Sequence, residues 1–148
     1  MLEYLEYTLD KFTFRVATDR FYNRDGVWAR EEDGRVTIGL SDFRQQNSGD
    51  IAFAEIMEPG TVVHCGEEIA NIETIKVDIS LPSPCGGAIV AVNPALEMEP
   101  ECINKDPYGE GWLAIIEAAD WPVDQTQLLD PQAYYNYMVA EAEEEAMS

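Results

Sequence analysis

The 148-residue chain carries 29 acidic side chains against nine lysines and arginines, a formal net charge of −20, with 46% hydrophobic residues. Such a field repels phosphate backbones and anionic lipid surfaces, which excludes nucleic acid and membrane as expected partners, while the apolar fraction excludes wholesale disorder. The length fits one domain able to bury a sizeable core.

In chain order the elements are mostly short strands. Residues 1–20 form an N-terminal extension in which LEYLEYTLDKF fits an edge strand or a helical turn equally, whereas FTFRVAT, 12–18, has strand composition. VWAREE and RVTIGL, 27–32 and 35–40, read as a hairpin across Asp33-Gly34, two residues that tolerate positive φ. Ser41 to Gly49 offers a capping hydroxyl at one end and a glycine stop at the other, hence a short helix. IAFAEI, TVVHC and EEIANIE follow as strands broken at Pro59-Gly60 and Gly66, then VDISL, the breaker SPCGG and the strand AIVAVN. NPALEMEPEC suggests one or two helical turns, NKDPYGEG a loop, and WLAIIEA a closing strand. From residue 119 the composition shifts: Asp130-Pro131 begins a helix that places Tyr134, Met138 and Ala142 on one side, with the acidic run near its end as a solvated face. The expected organisation is a mainly β sandwich or barrel at 21–118 between the N-terminal extension and a C-terminal helical extension at 119–148.

No apolar run approaches the roughly 18 residues of a membrane span, and the N-terminus lacks the basic start and apolar block of a secretion signal, so the chain reads as cytoplasmic. Cys65, Cys85 and Cys102 are odd in number, widely spaced and without a C-x-x-C pair. They read as small packed residues rather than a disulfide framework or a zinc site. His64 stands beside Cys65 in a predicted strand, where neighbours point to opposite faces, an arrangement that argues against a Cys–His pair. Nucleophile-elbow, zincin, P-loop and dinucleotide-binding motifs do not occur.

One stretch stands out. In IETIKVDI, 72–79, Lys76 lies at the centre of an apolar run whose Ile72, Ile75, Val77 and Ile79 call for cover, although a lysine ammonium is strongly hydrated. Either the run is a half-buried strand with a snorkelling lysine, or Lys76 tips a tight turn between two strands with its amine free for acylation.

E-T-I-K-V followed by S-P-C-G-G-A-I-V-A-V-N resembles the pattern E-S-V-K-A, spacer, S-P-x-x-G-x-V-x-x-V-N around the lipoylated lysine of glycine cleavage H proteins. VTIGLSDFRQQNSGDIAFAEIMEPGTVV and PALEMEPECINKDPYGEGWL are similar to two further blocks of that family, and the likeness runs from about Phe21 to Glu117 and more loosely beyond. The resemblance implies a lipoyl-domain-like barrel-sandwich hybrid with short helices and a C-terminal helix. It implies a carrier rather than an enzyme, with lipoate amide-linked to Lys76 as a swinging arm. Glu73, Thr74, Ile75 and Val77 would frame the turn, Glu73 at a position consistent with recognition by the lipoylating enzyme. The implied partners are lipoate ligase or lipoyl synthesis enzymes, dihydrolipoamide dehydrogenase, and either the glycine cleavage enzymes or a heterodisulfide-reductase-like complex.

The departures steer between those last two. Where the family has S-x-E before its tryptophan this chain reads Gly26, Val27, Trp28, and four residues after Lys76, in place of an acid, stands Ser80. An amine-bearing arm would lack those anionic partners, with Asp78 as the possible substitute. This favours the H-like lipoate-binding proteins of sulfur-oxidising prokaryotes, whose arm carries sulfur and for which Cys85 or Cys102 would be candidates for exchange. The alternatives are a glycine cleavage H protein carrying an aminomethyl group, and a non-lipoylated interaction module.

Overall fold

The computed structural model describes residues 2–147. The N-terminal segment, open from sequence, is a strand: β1 (Tyr4–Leu9) pairs antiparallel with β2 (Phe12–Ala17) across a turn in which Asp10 has φ 57°. β3 (Phe21–Tyr22), β4 (Val27–Glu32) and β5 (Arg35–Leu40) follow, and the β4–β5 turn at Asp33-Gly34 takes the positive φ expected of those residues, 53° and 82°. Helix α1 (Asp42–Ser48) begins where the Ser41 hydroxyl accepts from the Arg44 amide at 3.2 Å and stops at Gly49, φ 84°.

Two sheets then form. β6 (Ile51–Ile56), β8 (Glu68–Thr74) and β9 (Asp78–Pro82) make a three-stranded antiparallel sheet in the order β6-β8-β9. β7 (Val62–Val63), β10 (Gly87–Val92) and β11 (Ala114–Ala118) join the earlier strands in a six-stranded sheet ordered β3-β4-β5-β11-β10-β7. Their inner faces share one core: Val36, Ile38, Leu40, Ile89 and Ile116 from the larger sheet meet Ile69, Ile72, Ile79 and Leu81 from the smaller. This mainly β sandwich is the barrel-sandwich architecture expected of the sequence. Short helices α2 (Ala95–Met98) and α3 (Cys102–Lys105) close one side; α3 takes Asn104 and Lys105 out of the expected loop. α4 (Trp121–Gln125) has no counterpart in the sequence reading. β7 is shorter than TVVHC suggests, because the His64 amide donates to the Glu67 side chain at 2.6 Å and turns the chain at Gly66, φ 92°. His64 and Cys65 therefore lie outside any strand, and the alternation argument does not apply to them.

A second, aromatic core lies outside the first. The C-terminal helix α5 (Pro131–Met147) starts at Asp130, whose carboxylate accepts from the Ala133 amide at 2.8 Å, and buries Tyr134, Met138 and Ala142 against Phe14, Tyr22, Trp28 and Phe43. The Tyr22 and Tyr134 rings stack at 4.3 Å, and the Ser41 and Tyr134 hydroxyls share a hydrogen bond of 2.8 Å, fixing α5 to α1. Trp28 donates its indole N–H to the carbonyls of Leu40 and Pro107, while the Arg20 guanidinium lies 4.5 Å over its ring. Gly39 is what lets the indole lie flat on β5: a Cβ there would fall 2.3 Å from a Trp28 ring carbon.

Gly39→Ala therefore displaces Trp28 and loosens the contact between the cores. Urea denaturation is expected to show a loss of about 1–3 kcal/mol, with the tryptophan emission shifted to the red.

Candidate functional site

The β8–β9 hairpin is held at its root by pairing inside the core and released at its tip. Ile72 and Ile79 are directly opposite in the register and both buried, so the strands are anchored two residues below the turn. Beyond them Glu73 faces Asp78, and the chain reverses over Ile75 and Lys76. The Thr74 amide donates to the Val77 carbonyl at 2.9 Å. Its hydroxyl does the remaining work: it accepts from the amides of Lys76 at 3.3 Å and Val77 at 3.1 Å, and donates to the Val77 carbonyl at 3.2 Å. A threonine at the first position of a tight turn satisfies the tip's backbone with its own side chain.

Lys76 is exposed at that tip, and among the described residues its ammonium has neither an ion-pair nor a hydrogen-bond partner. The half-buried strand is thus set aside: Lys76 belongs to a turn. Ile75 and Val77 depart from the cover their composition calls for, being 90% and 48% exposed. The turn tilts them out of the strand alternation that buries Ile72 and Ile79. Phe53 of β6, paired with Glu73, adds a further half-exposed ring near the hairpin end. Glu73 is exposed, so carboxylates flank the tip on both strands.

Beside β9 opens a cleft of about 430 Å³ lined by Val77, Asp78, Ile79 and Ser80, by Arg44, Asn47 and Ser48 of α1, and by Glu141 and Glu145 of α5. Asp78, two residues from the lysine, thus lines a space adjoining the hairpin. Ser80, where the family pattern has an acid, donates its hydroxyl to Glu68. Val27, at the other departure, is fully buried in the first core. Arg44 and Glu141 were not legible as site residues, since nothing local marks them; α5 brings them together only through the aromatic core. The Arg44 Nε is buried without a hydrogen-bond partner. The cleft so combines one guanidinium with several carboxylates.

The cysteines stand away from this site or inside the fold. Cys65 and Cys85 flank the opposite end of the hairpin, where Gly66 bonds Ser83, about 20 Å along the strand from the tip. Cys85 is buried, and burial pushes its thiol up to about 12. That removes Cys85 as a partner for exchange with a group on Lys76. Cys102, at the start of α3, is half-buried, its thiol also raised by burial. Among the described residues no cluster of metal-ligating side chains occurs, and no helix is long and apolar enough to cross a membrane.

Comparison with known proteins places this geometry. The profile of the glycine cleavage H-protein family matches residues 20–141. The chain is 39% identical over 127 residues to a glycine cleavage system H protein of Thermus thermophilus, covering 86% of this chain and 98% of that one. It is 37% identical over 132 residues to glycine cleavage system H protein 4 of Aquifex aeolicus, covering 89% and 77%. Among solved structures, a glycine cleavage system H protein from Mycobacterium marinum superposes with a TM-score of 0.67 at 33% identity, over 69% of this chain and 85% of that one. The chain belongs to the glycine cleavage H-protein family.

Two outcomes follow from the geometry. Thr74→Val removes the hydroxyl that holds the tip, a loss of about 1 kcal/mol, so amide exchange at Val77 should quicken about fivefold while the midpoint of global unfolding hardly moves. At pH 8 the Cys85 thiolate is only about one part in ten thousand, so iodoacetamide followed by peptide mass mapping should label exposed Cys65 and reach Cys85 only after denaturation.

Proposed function

We propose that this H-family chain is a lipoyl carrier of the glycine cleavage type, with lipoate in amide linkage to Lys76 and an aminomethyl group as cargo. The observation that carries the reading is an unpartnered amine on a turn whose Lys76 and Val77 amides are held by Thr74: the attachment point is anchored and the side chain is free. Such a residue fits an acylated arm. The reaction removes a charge that nothing in the described structure depends on, and the exposed tip leaves room for the enzyme that performs it. When bound, lipoate supplies a disulfide–dithiol couple able to take up and give back a small group.

The chain's own residues provide position and charge. Thr74 and the Ile72–Ile79 pair hold the root of the arm; Glu73 and the exposed Ile75 and Val77 offer a contact for the lipoylating enzyme. In the cleft, Asp78 and Glu141 present carboxylates where Val27 and Ser80 do not, so an ammonium-bearing cargo finds anionic partners after all. For this reason, and because of the named relatives, glycine cleavage stands ahead of the sulfur carriage that the two sequence departures favoured. The partners are then the glycine cleavage enzymes, dihydrolipoamide dehydrogenase, and lipoate ligase or lipoyl synthesis enzymes. The chain is a substrate to each of them and a catalyst of none, with the cytoplasm as its expected compartment. The reading takes the organisation to be a lipoyl-domain-like core at 21–118 between two extensions.

One observation supports a second reading. Arg44, whose buried Nε has no hydrogen-bond partner, lines the same cleft, and a guanidinium there is a better match for an anionic sulfur group, which supports a carrier for a heterodisulfide-reductase-like complex as the second reading.

Chain prepared with lipoate and a lipoate ligase should gain one lipoyl group by intact mass, at Lys76 and not in Lys76→Arg. With glycine decarboxylase and labelled glycine the lipoylated form should load cargo and the variant none. Turnover with the sulfur-oxidising complex and no loading from glycine would reverse the order of the two readings, and absence of the mass increment would leave the interaction module.

A further inference from the structure

The matched family residues, 20–141, leave out both ends of the chain, and the two ends build a pocket together. It measures about 280 Å³ and lies between the β1–β2 turn and the last turns of α5, over α1. Leu9, Phe12 and Phe14 come from the first extension, Ala142 and Ala146 from the last turns, and only Phe43 among the apolar walls from the matched region. Phe14 and Phe43 meet edge to face at 5.1 Å and are buried; Phe12 stacks on Phe14 and stays half exposed, with Lys11 over its ring at 5.7 Å. Its aromatic walls suit a small apolar ring, with Asp10, Asn47 and Glu145 as the polar part of the lining.

It adjoins the cleft at the hairpin, with which it shares two lining residues. Asn47 and Glu145 line both, and the Asn47 amide donates to the Glu145 carboxylate at 2.9 Å where the two spaces meet. Phe43 stands one helical turn from Asn47, about 6 Å further along α1. A lipoyl-lysine has eleven bonds between Cα and its ring, about 14 Å when extended, and Val77, next to Lys76, lines one cleft with Asn47, so an arm laid through the cleft is directed toward this pocket with its apolar end foremost. The two spaces differ in chemistry. A charged cargo is at home among the carboxylates of the cleft and costly to bury between phenylalanines, whereas an empty dithiolane is the reverse.

We propose that the pocket of Leu9, Phe12, Phe14, Phe43 and Ala142 is a resting site for the oxidised, cargo-free dithiolane of the arm on Lys76, supplied by the two segments that extend the family domain. The proposal rests on the lipoyl-carrier reading. Its consequence is a sorting of arm states: cargo-free arms withdrawn beneath the N-terminal hairpin, loaded arms left in the polar cleft.

The test compares unmodified and lipoylated full-length chain by NMR. Lipoylation should shift the methyl resonances of Ala142 and Ala146 and the ring resonances of Phe12, Phe14 and Phe43, and Lys76→Arg carried through the same reaction should not. Reduction of the tethered ring by a water-soluble phosphine, followed by loss of dithiolane absorbance, should run about fivefold slower than for free lipoamide if some four-fifths of arms are at rest. Phe12→Glu, at a half-exposed position, should return it to the free rate with the unfolding midpoint intact. Shifts confined to Arg44 and Ser80, or reduction at the free rate in the parent chain, overturn the proposal. So do pocket shifts that follow protein concentration rather than lipoylation, which would mark a contact between copies. If mass shows that Lys76 takes no lipoate, the carrier reading fails separately; free lipoamide titrated into unmodified chain then decides the pocket, shifts at Ala142 supporting a dithiolane site and their absence ending it.

Discussion

The structure depends on a hairpin buried at its root and satisfied at its tip. Extending β8 and β9 beyond the sandwich leaves the last backbone groups without a neighbouring strand, and a flexible end would let the lysine's attachment point wander. Thr74 resolves this with one hydroxyl that serves the amides of Lys76 and Val77 and the carbonyl of Val77. The cost of placing Glu73 opposite Asp78 is small because both are exposed and screened. What remains is a backbone held in place beneath a side chain that is not.

The features legible in the sequence are those fixed by local chemistry. The Asp33-Gly34 turn, the Ser41 cap, the Pro131 start and the strand periods need no distant partner, and each sits where its residues call for it. The apolar count in IETIKVDI misled for Ile75 and Val77 because alternation holds only while a strand lasts, and the turn ends it at Thr74. The N-terminal segment was ambiguous because its leucines, tyrosines and glutamates recur three or four residues apart, as on a helix, while its tyrosines and threonine favour a strand. Pairing of β1 with β2, and packing of both on α5, decides the matter. Arg44 and Glu141 meet only in the folded chain, so a reading along the sequence had no signal for the cleft.

Cations are scarce in so acidic a chain, and where they go is informative. Arg20 is buried over Trp28 and Tyr108 and pairs with Asp19; Arg15 pairs with Glu6; Lys11 covers Phe12; Arg44 turns into the cleft. Arg20, Arg15 and Lys11 serve packing or pairing near the second core. Lys76, like Arg24, Arg30, Arg35 and Lys105 among the described residues, has no ion pair, although carboxylates stand on both strands beneath it. A hydrated ammonium held clear of available acids fits the proposed acylation, since an ion pair would have to be broken first.

The two cores also explain why the chain departs from its family where it does. β4 is the shared wall: Val27 and Ala29 face the first core while Trp28 faces the second, so at this end of the strand neither face meets water. The β1–β2 hairpin and α5 cover the Trp28 side, and a carboxylate at position 27 would be buried without a partner on the other. An apolar Val27 is therefore the consequence of a fully covered strand, whatever the cargo. The negative charge that such a residue would bring to the cleft comes instead from Asp78 on the hairpin and from Glu141 on the helix that the second core holds in place. Hairpin and helix belong to different cores, so the fit between the hairpin and the cleft's acids depends on how firmly Trp28, seated on Gly39, ties the two together.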